Sequence, residues 1–194
     1  MRIISGTLGG RKVEAPEGKE TRPTTDRVRE ALFSTLQSLK SLSHAHVVDL
    51  YAGSGALAYE AISRGAMHAV LVEKSPRAMK VIKENAKQLG IEKQVSFIQQ
   101  DTEKSFSDIL RMLSVSGAST ADIVFADPPY GENPGQRLIV ALKKCELVKS
   151  GSILVLESDS DFDLGDAQKL EDALFEVVKT KKYGDTSLHF IRYL

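Results

Sequence analysis

Asp127-Pro128-Pro129-Tyr130 follows the apolar run Ile123-Val-Phe-Ala, and its residue types can do chemistry. The run fits a short buried strand with a carboxylate where the strand ends. Two prolines then fix two φ angles and remove two N–H donors, and Asp127 is pushed out of the α region by the proline after it. The result is a stiff, extended corner carrying an acid, bare carbonyls and an aromatic ring. A planar substrate with an amino group fits such a corner. Asp127 and a carbonyl accept its two N–H bonds, and Tyr130 stacks on its face. Taken alone, the same four residues also read as an ordinary strand-to-loop turn.

Three further acids close predicted strands. Asp49 precedes Ala52-Gly53-Ser54-Gly55, and Gly53 to Ala58 satisfies G-x-G-x-x-G/A, a weak dinucleotide pattern by itself. Asp49 can accept hydrogen bonds from an ammonium group. Glu73 lies twenty residues beyond Gly53, where an acid takes ribose hydroxyls in nucleotide-binding α/β folds. Asp101-Thr102 closes the next strand; Asp101 could accept from an adenine amino group, and capping a helix explains it equally well. Arg22-Pro-Thr24-Thr25 stands at a helix start, suited to a carboxylate or serving as a plain capping turn.

The elements that must position these residues are legible as alternation. A helix capped by Thr24, Thr25 or Asp26 runs over residues 26–40, with Val28, Ala31, Leu32, Thr35, Leu36 and Leu39 on its core face. A strand enters Asp49, and a helix follows the glycine turn to Arg64. Strand 69–72 leads to a helix opened by Ser75-Pro76 and ended by Gly90. Strand 95–98, a helix from Asp101, a polar loop over 114–120 and the strand into Asp127 come next. Residues 131–135 have lid-like composition. A helix over 136–149 stopped by Gly151, strand 152–157, an acidic loop with Asp159, Asp161, Asp163 and Asp166, and a hairpin of 175–183 with 187–193 finish the chain. This order means a doubly wound α/β sheet, whose ligands bind outside the carboxyl ends of the strands. One acid there is ordinary; four in register make a site.

Composition narrows the class. The 194 residues carry 26 Lys+Arg and 26 Asp+Glu, so net charge favours neither nucleic acid nor membrane. Local charge does: residues 1–25 read as a glycine-turned β-hairpin arm with five cations against three acids, ahead of one domain over 26–194. The single Cys145 and four scattered histidines offer no disulfide framework or metal spacing. No membrane span or signal peptide is apparent, so a cytoplasmic protein is expected.

Assembled, these motifs resemble the class I S-adenosylmethionine-dependent methyltransferases, and more narrowly the bacterial 16S ribosomal RNA guanine-N2 methyltransferases. The resemblance rests on Arg2-Ile-Ile-Ser-Gly, Gly10-Arg-Lys, Arg22 to Glu30, Asp49 to Gly55, Glu73, Asp127 to Tyr130 (Tyr where some relatives carry Phe) and Glu157-Ser. It implies a Rossmann-like, mostly parallel seven-stranded sheet with a small N-terminal hairpin. It implies that Ala52, Gly53, Ser54 and Gly55 admit the cofactor above Asp49, and that Glu73 holds its ribose. Asp101 and Thr102 would lie by the adenine, Arg22 and Thr24 by the methionine carboxylate, and Asp127 faces both cofactor and target. Asp127 and the Pro128 carbonyl would bind the target amine beside Pro129, Tyr130 would stack on the base, and Arg2, Arg11 and Lys12 would hold RNA phosphates. No metal is implied; the partner is 16S rRNA, within a 30S subunit or an assembly intermediate. Rival readings are a DNA adenine or protein glutamine methyltransferase, a nicotinamide oxidoreductase, which leaves Asp127 to Tyr130 idle, and a non-catalytic RNA-binding factor, which leaves the four acids idle.

Overall fold

A computed structural model of the chain describes residues 1–16, 25–128, 134–159 and 175–194. Arg22, Thr24, Pro129, Tyr130, the 131–133 part of the lid-like stretch and Asp161, Asp163 and Asp166 lie outside them.

Seven strands form one sheet in the order β3-β2-β1-β4-β5-β7-β6. The first five are β1 (His46–Asp49), β2 (His68–Val72), β3 (Val95–Ile98), β4 (Ala121–Ala126) and β5 (Val148–Asp159), and they pair in parallel. β6 (Phe175–Tyr183) and β7 (Thr186–Tyr193) make the closing antiparallel hairpin, and β7 runs antiparallel to β5. Strand order reverses between β1 and β4, the switch point at which such sheets open a crevice.

The parallel strands are buried on both faces, which follows from apolar runs such as Ile123-Val-Phe-Ala. Leu32, Phe33 and Leu36 of α1 (Asp26–Leu39), with residues of α2 (Ala56–Ser63) and α3 (Pro76–Leu89), cover one face. α4 (Phe106–Val115) and α5 (Pro134–Lys144) cover the other. Local signals set several boundaries. Thr25 caps α1 by accepting from Val28 N–H, and Ser75 caps α3 by accepting from Ala78 N–H. Gly90 closes α3 in the left-handed conformation.

Four boundaries differ from expectation. The chain after Asp101 forms a single 3₁₀ turn at Thr102–Lys104 before α4, and α4 extends to Val115 into the expected loop. α5 ends at Lys144 because Glu146 takes a positive φ of 55° and Leu147 N–H closes back on the Leu142 carbonyl. β5 therefore begins at Val148, so Lys149 is a strand residue and Gly151 lies inside β5. There the pairing with β4 shifts register between Ala121 and Ile123. The glycine marks a bulge instead of a helix stop.

At the N-terminus the expected hairpin is a ribbon with one antiparallel bridge, Arg2 to Lys12. It is docked by burial of Ile3 and Val13 in the same core as α1 to α3. The buried Glu60 carboxylate of α2 accepts from Ile4 N–H (2.6 Å) and Ser5 N–H (3.0 Å) and from the Arg64 guanidinium (2.7 Å). Among the described residues no helix is long and apolar enough to cross a membrane.

Candidate active site

Asp49 ends β1 at the switch point and is buried. The N-cap of α2 is Gly55, which has no side chain to satisfy the helix's first N–H groups. Asp49 serves one of them from the strand, accepting from Ala58 N–H, and also accepts from Tyr51 N–H at the start of the loop. Burial pushes its carboxyl up to about 7, with the charges of Asp127 and Glu73 adding to the rise and the two backbone donors opposing it.

Glu73 follows β2 and receives Gly53 N–H at 3.1 Å on one oxygen and Ser75 N–H at 2.7 Å on the other. Each oxygen keeps a second lone pair for a ligand hydroxyl. The two glycines of the loop have different reasons to be glycine. Gly53 has a φ of 55°, and a side chain there would point into space empty of close protein atoms. Gly55 has a φ of 80°, and a Cβ would come within 2.5 Å of the Tyr59 ring. Gly53 thus leaves room for a ligand, whereas Gly55 makes room for Tyr59, whose hydroxyl donates to the Ile82 carbonyl.

Ser54 faces the N-terminal ribbon: its hydroxyl lies 3.4 Å from Met1 Sδ. Its carbonyl accepts from the side-chain amide of Asn85 at 3.1 Å. Asn85, on the inner side of α3, also accepts Glu14 N–H and donates to Glu14 O, each at 2.9 Å. One buried amide thereby ties ribbon, helix and loop together, and nothing in the local sequence pattern announces it. Ala52 is buried at the base of the loop and donates its N–H to the Val72 carbonyl.

Asp101 and Thr102 stand at the end of β3. Asp101 is exposed and accepts from Glu103 N–H at 3.1 Å. Thr102 is buried, and its hydroxyl donates to the Leu50 carbonyl at 2.6 Å, lacing the ends of β1 and β3. Their side chains are thus engaged in the fold.

Asp127 sits just past β4, exposed on its solvent side, with Pro128 buried behind it. The protein packed around the carboxyl raises its pKa. Pairing of Ala126 with Leu156 brings Glu157 of β5 alongside. Burial, and then the Asp127 charge, push Glu157 up to about 7. Neither carboxylate accepts a hydrogen bond among the described residues. The structure thus gathers Asp49, Glu73, Asp127 and Glu157 at neighbouring strand ends across the switch point. Sequence reasoning gave Glu157 no role; its signal is its place at the next strand's carboxyl end.

The three ribbon cations are exposed and engaged. Arg2 pairs with Asp26 at 3.0 Å, Arg11 donates to the Leu89 carbonyl at 3.2 Å, and Lys12 pairs with Glu14 at 2.6 Å. Exposed pairs of this kind exchange readily for other anions. Among the described residues no group of His, Cys, Asp or Glu side chains is arranged to hold a metal.

A Rossmann-like sheet of this order, with the glycine turn after β1 and an acid after β2, defines a class I S-adenosylmethionine-dependent methyltransferase. The chain belongs to the family described as Conserved hypothetical protein 95, whose model matches residues 1–192. It is 31% identical over 191 residues to the "Putative rRNA methyltransferase YlbH" of Bacillus subtilis, covering 97% of this chain and 96% of that one. It is 33% identical over 161 residues to Ribosomal RNA small subunit methyltransferase D of Escherichia coli K12, covering 82% and 75%. Among solved structures, the "Putative methyltransferase yhhF" of Escherichia coli superposes with a TM-score of 0.80 at 28% identity, covering 100% and 97%.

Proposed function

We propose that the protein methylates the exocyclic N2 amine of a guanine in 16S ribosomal RNA, using S-adenosylmethionine. The observation that carries this reading is the placement of Asp127. It is a proline-backed carboxylate beside the switch point, electrostatically coupled to Asp49, which lies under the glycine loop. The names of the rRNA methyltransferases above support the choice of RNA.

When bound, S-adenosylmethionine supplies a methyl group already activated on a sulfonium. Gly53 leaves the backbone accessible, Glu73 takes the ribose hydroxyls with its free lone pairs, and Asp49 supplies negative charge for the ammonium group. Ala52, Ser54 and Gly55 complete the loop, Asp101 and Thr102 border the adenine, and Arg22 and Thr24 face the methionine carboxylate. A guanine amine is a poor nucleophile because its lone pair is delocalised into the ring. Asp127 and the Pro128 carbonyl accept its two N–H bonds, fix its direction and favour the positive charge that grows on nitrogen. Asp127, with Glu157 beside it, is a carboxylate that can take the proton the nitrogen then sheds. Tyr130, carried by Pro129, stacks on a base that is unpaired or flipped out. Residues 1–25 act as an RNA-contacting arm through Arg2, Arg11 and Lys12, ahead of a catalytic domain over 26–194. The substrate is 16S rRNA within a 30S particle or an assembly intermediate, in the cytoplasm.

The test is transfer of labelled methyl from S-adenosylmethionine to 30S particles from cells lacking the enzyme, with the modified nucleotide mapped by mass. The expected product is one N2-methylguanine. Transfer to DNA or to a protein glutamine instead would reject the substrate.

A further inference from the structure

We infer that the outer face of α3 is a second RNA-phosphate contact, continuous with the N-terminal ribbon; this rests on the RNA reading above. Residues 74–90 carry five cations, Lys74, Arg77, Lys80, Lys83 and Lys87, against the single carboxylate of Glu84, in a chain whose charges balance overall and whose remainder is therefore net acidic. At about 100° per residue, Arg77, Lys80, Lys83 and Lys87 fall in one sector of the helix. The buried residues Ala78, Met79, Ile82, Asn85, Ala86 and Leu89 fill the opposite one. The stripe is exposed throughout. Its only ion pair among the described residues is a loose Lys80 to Glu84 contact at 3.9 Å, and Lys83 lies 5.9 Å from the Phe97 ring.

Helix stability does not account for this pattern. The N-terminus of a helix carries partial positive charge and favours acids. Yet α3 has none in its first turn, with Arg77 inside that turn and Lys74 just ahead of it. Glu73 stands near the same end, but both of its oxygens are turned onto the Gly53 and Ser75 N–H groups. Lys87 in the last turn suits the dipole, but Lys74 and Arg77 at the positive end break a local rule, as functional surfaces do.

The geometry suits a polyanion. From Arg77 to Lys87 the helix rises about 15 Å, enough to meet several successive phosphates. At its far end Arg11 reaches across to the Leu89 carbonyl, so the ribbon's cations extend the same track. The lysines of β6, by contrast, lie on the free edge at the other end of the sheet, where they discourage strand pairing.

Two matched triple variants test the surface: Arg77→Gln/Lys80→Gln/Lys87→Gln on α3, and Lys179→Gln/Lys181→Gln/Lys182→Gln on β6. The probe is 16S rRNA, with its Kd measured from 50 to 300 mM salt. For the α3 variant the salt slope should fall by about 2, at roughly 0.7 per lost phosphate contact. Its Kd at 100 mM salt should weaken at least tenfold, with S-adenosylmethionine affinity within twofold of the parent. The β6 variant should match the parent in all three. An unchanged slope on α3, or an equal loss from β6, would overturn the proposal while leaving methyl transfer to RNA standing. A parent protein that binds S-adenosylmethionine but no RNA would remove the substrate reading and this surface together.

Discussion

The two halves of the crevice are built on opposite plans. At the ends of β1 and β2 the carboxylates are held by the protein itself: Asp49 by Tyr51 and Ala58, and Glu73 by Gly53 and Ser75. At the ends of β4 and β5, Asp127 and Glu157 have no such donors among the described residues, and partial burial raises both pKa values. A carboxylate satisfied by backbone donors is a fixed part of a binding surface. One short of donors gains most from an arriving N–H group, so its interaction strengthens where charge is made. The difference separates a side whose carboxylates are already satisfied from one whose carboxylates still lack donors; under the proposed function these are the cofactor side and the side of the substrate amine.

The largest expected effect breaks the second half alone. Asp127→Ala should lower kcat by about a thousandfold, near 4 kcal/mol in the range seen when one preorganised electrostatic partner is removed. Cofactor affinity should stay within about tenfold, measured by calorimetry with S-adenosylmethionine. Equal losses in both would mean that the halves are not separable and that Asp127 mainly serves the cofactor.

How far the sequence revealed this contrast depended on the range of the forces involved. α3 was legible because its signals are local: Ser75 caps, Pro76 sits in the first turn and Gly90 ends it. The acids at strand ends were legible because alternation places them there. The end of α5 was not, because Glu146 terminates the helix with no glycine, while the visible Gly151 belongs to a bulge. Gly55 looked like a ligand glycine, yet its neighbour four residues on, Tyr59, is what excludes a side chain. Arg29 stands in the Arg22 to Glu30 motif, but its burial was not legible: it lies on the inner face of α1 and donates to the Arg2 carbonyl at 2.6 Å and to Asp26 at 2.8 Å. Asn85 was invisible for a related reason: its partners lie 71 and 31 residues away.

Asn85 sharpens the comparison from the cofactor side. It touches the glycine loop only through Ser54 O, and it holds Glu14 of the ribbon at the same time. Asn85→Ala takes this partner from two carbonyls, Glu14 O and Ser54 O, and from Glu14 N–H, at up to about 1–3 kcal/mol each where water cannot replace it. The expected result is a KM for S-adenosylmethionine raised about tenfold, with kcat at saturating cofactor within threefold. A purely structural role would reduce the active fraction, so kcat would fall with KM unchanged. Asn85→Ser, which removes less volume polarity, should lie between the two, and a thermal melt confirms that each variant is folded.

The smallest effect, and the one that tests the opposed plans together, is in pH. Asp49 and Glu157 hold their protons in the folded protein to about 7, whereas the unfolded chain loses them near ordinary carboxylate values. The folded state therefore binds more protons over that window, and stability falls as pH rises from about 4 towards 7. Catalysis should run the other way, because Asp127 must be ionised to accept the amine's N–H bonds. For stability, His189, whose ring meets Ser158 and Thr180, and His68 slope against the two acids, because burial lowers both histidine pKa values. Each adds stability as pH rises towards the ordinary histidine value and offsets part of the fall. The rate at saturating substrates should rise with pH as Asp127 ionises, above the ordinary carboxylate range. The Asp127 charge helps raise Glu157 and not the reverse, so Glu157→Gln should remove part of the stability loss between pH 4 and 7 and leave the rate profile unchanged. If the stability profile of that variant overlays the parent's, Glu157 does not hold a proton to about 7, and the contrast between the two halves rests on Asp127 alone.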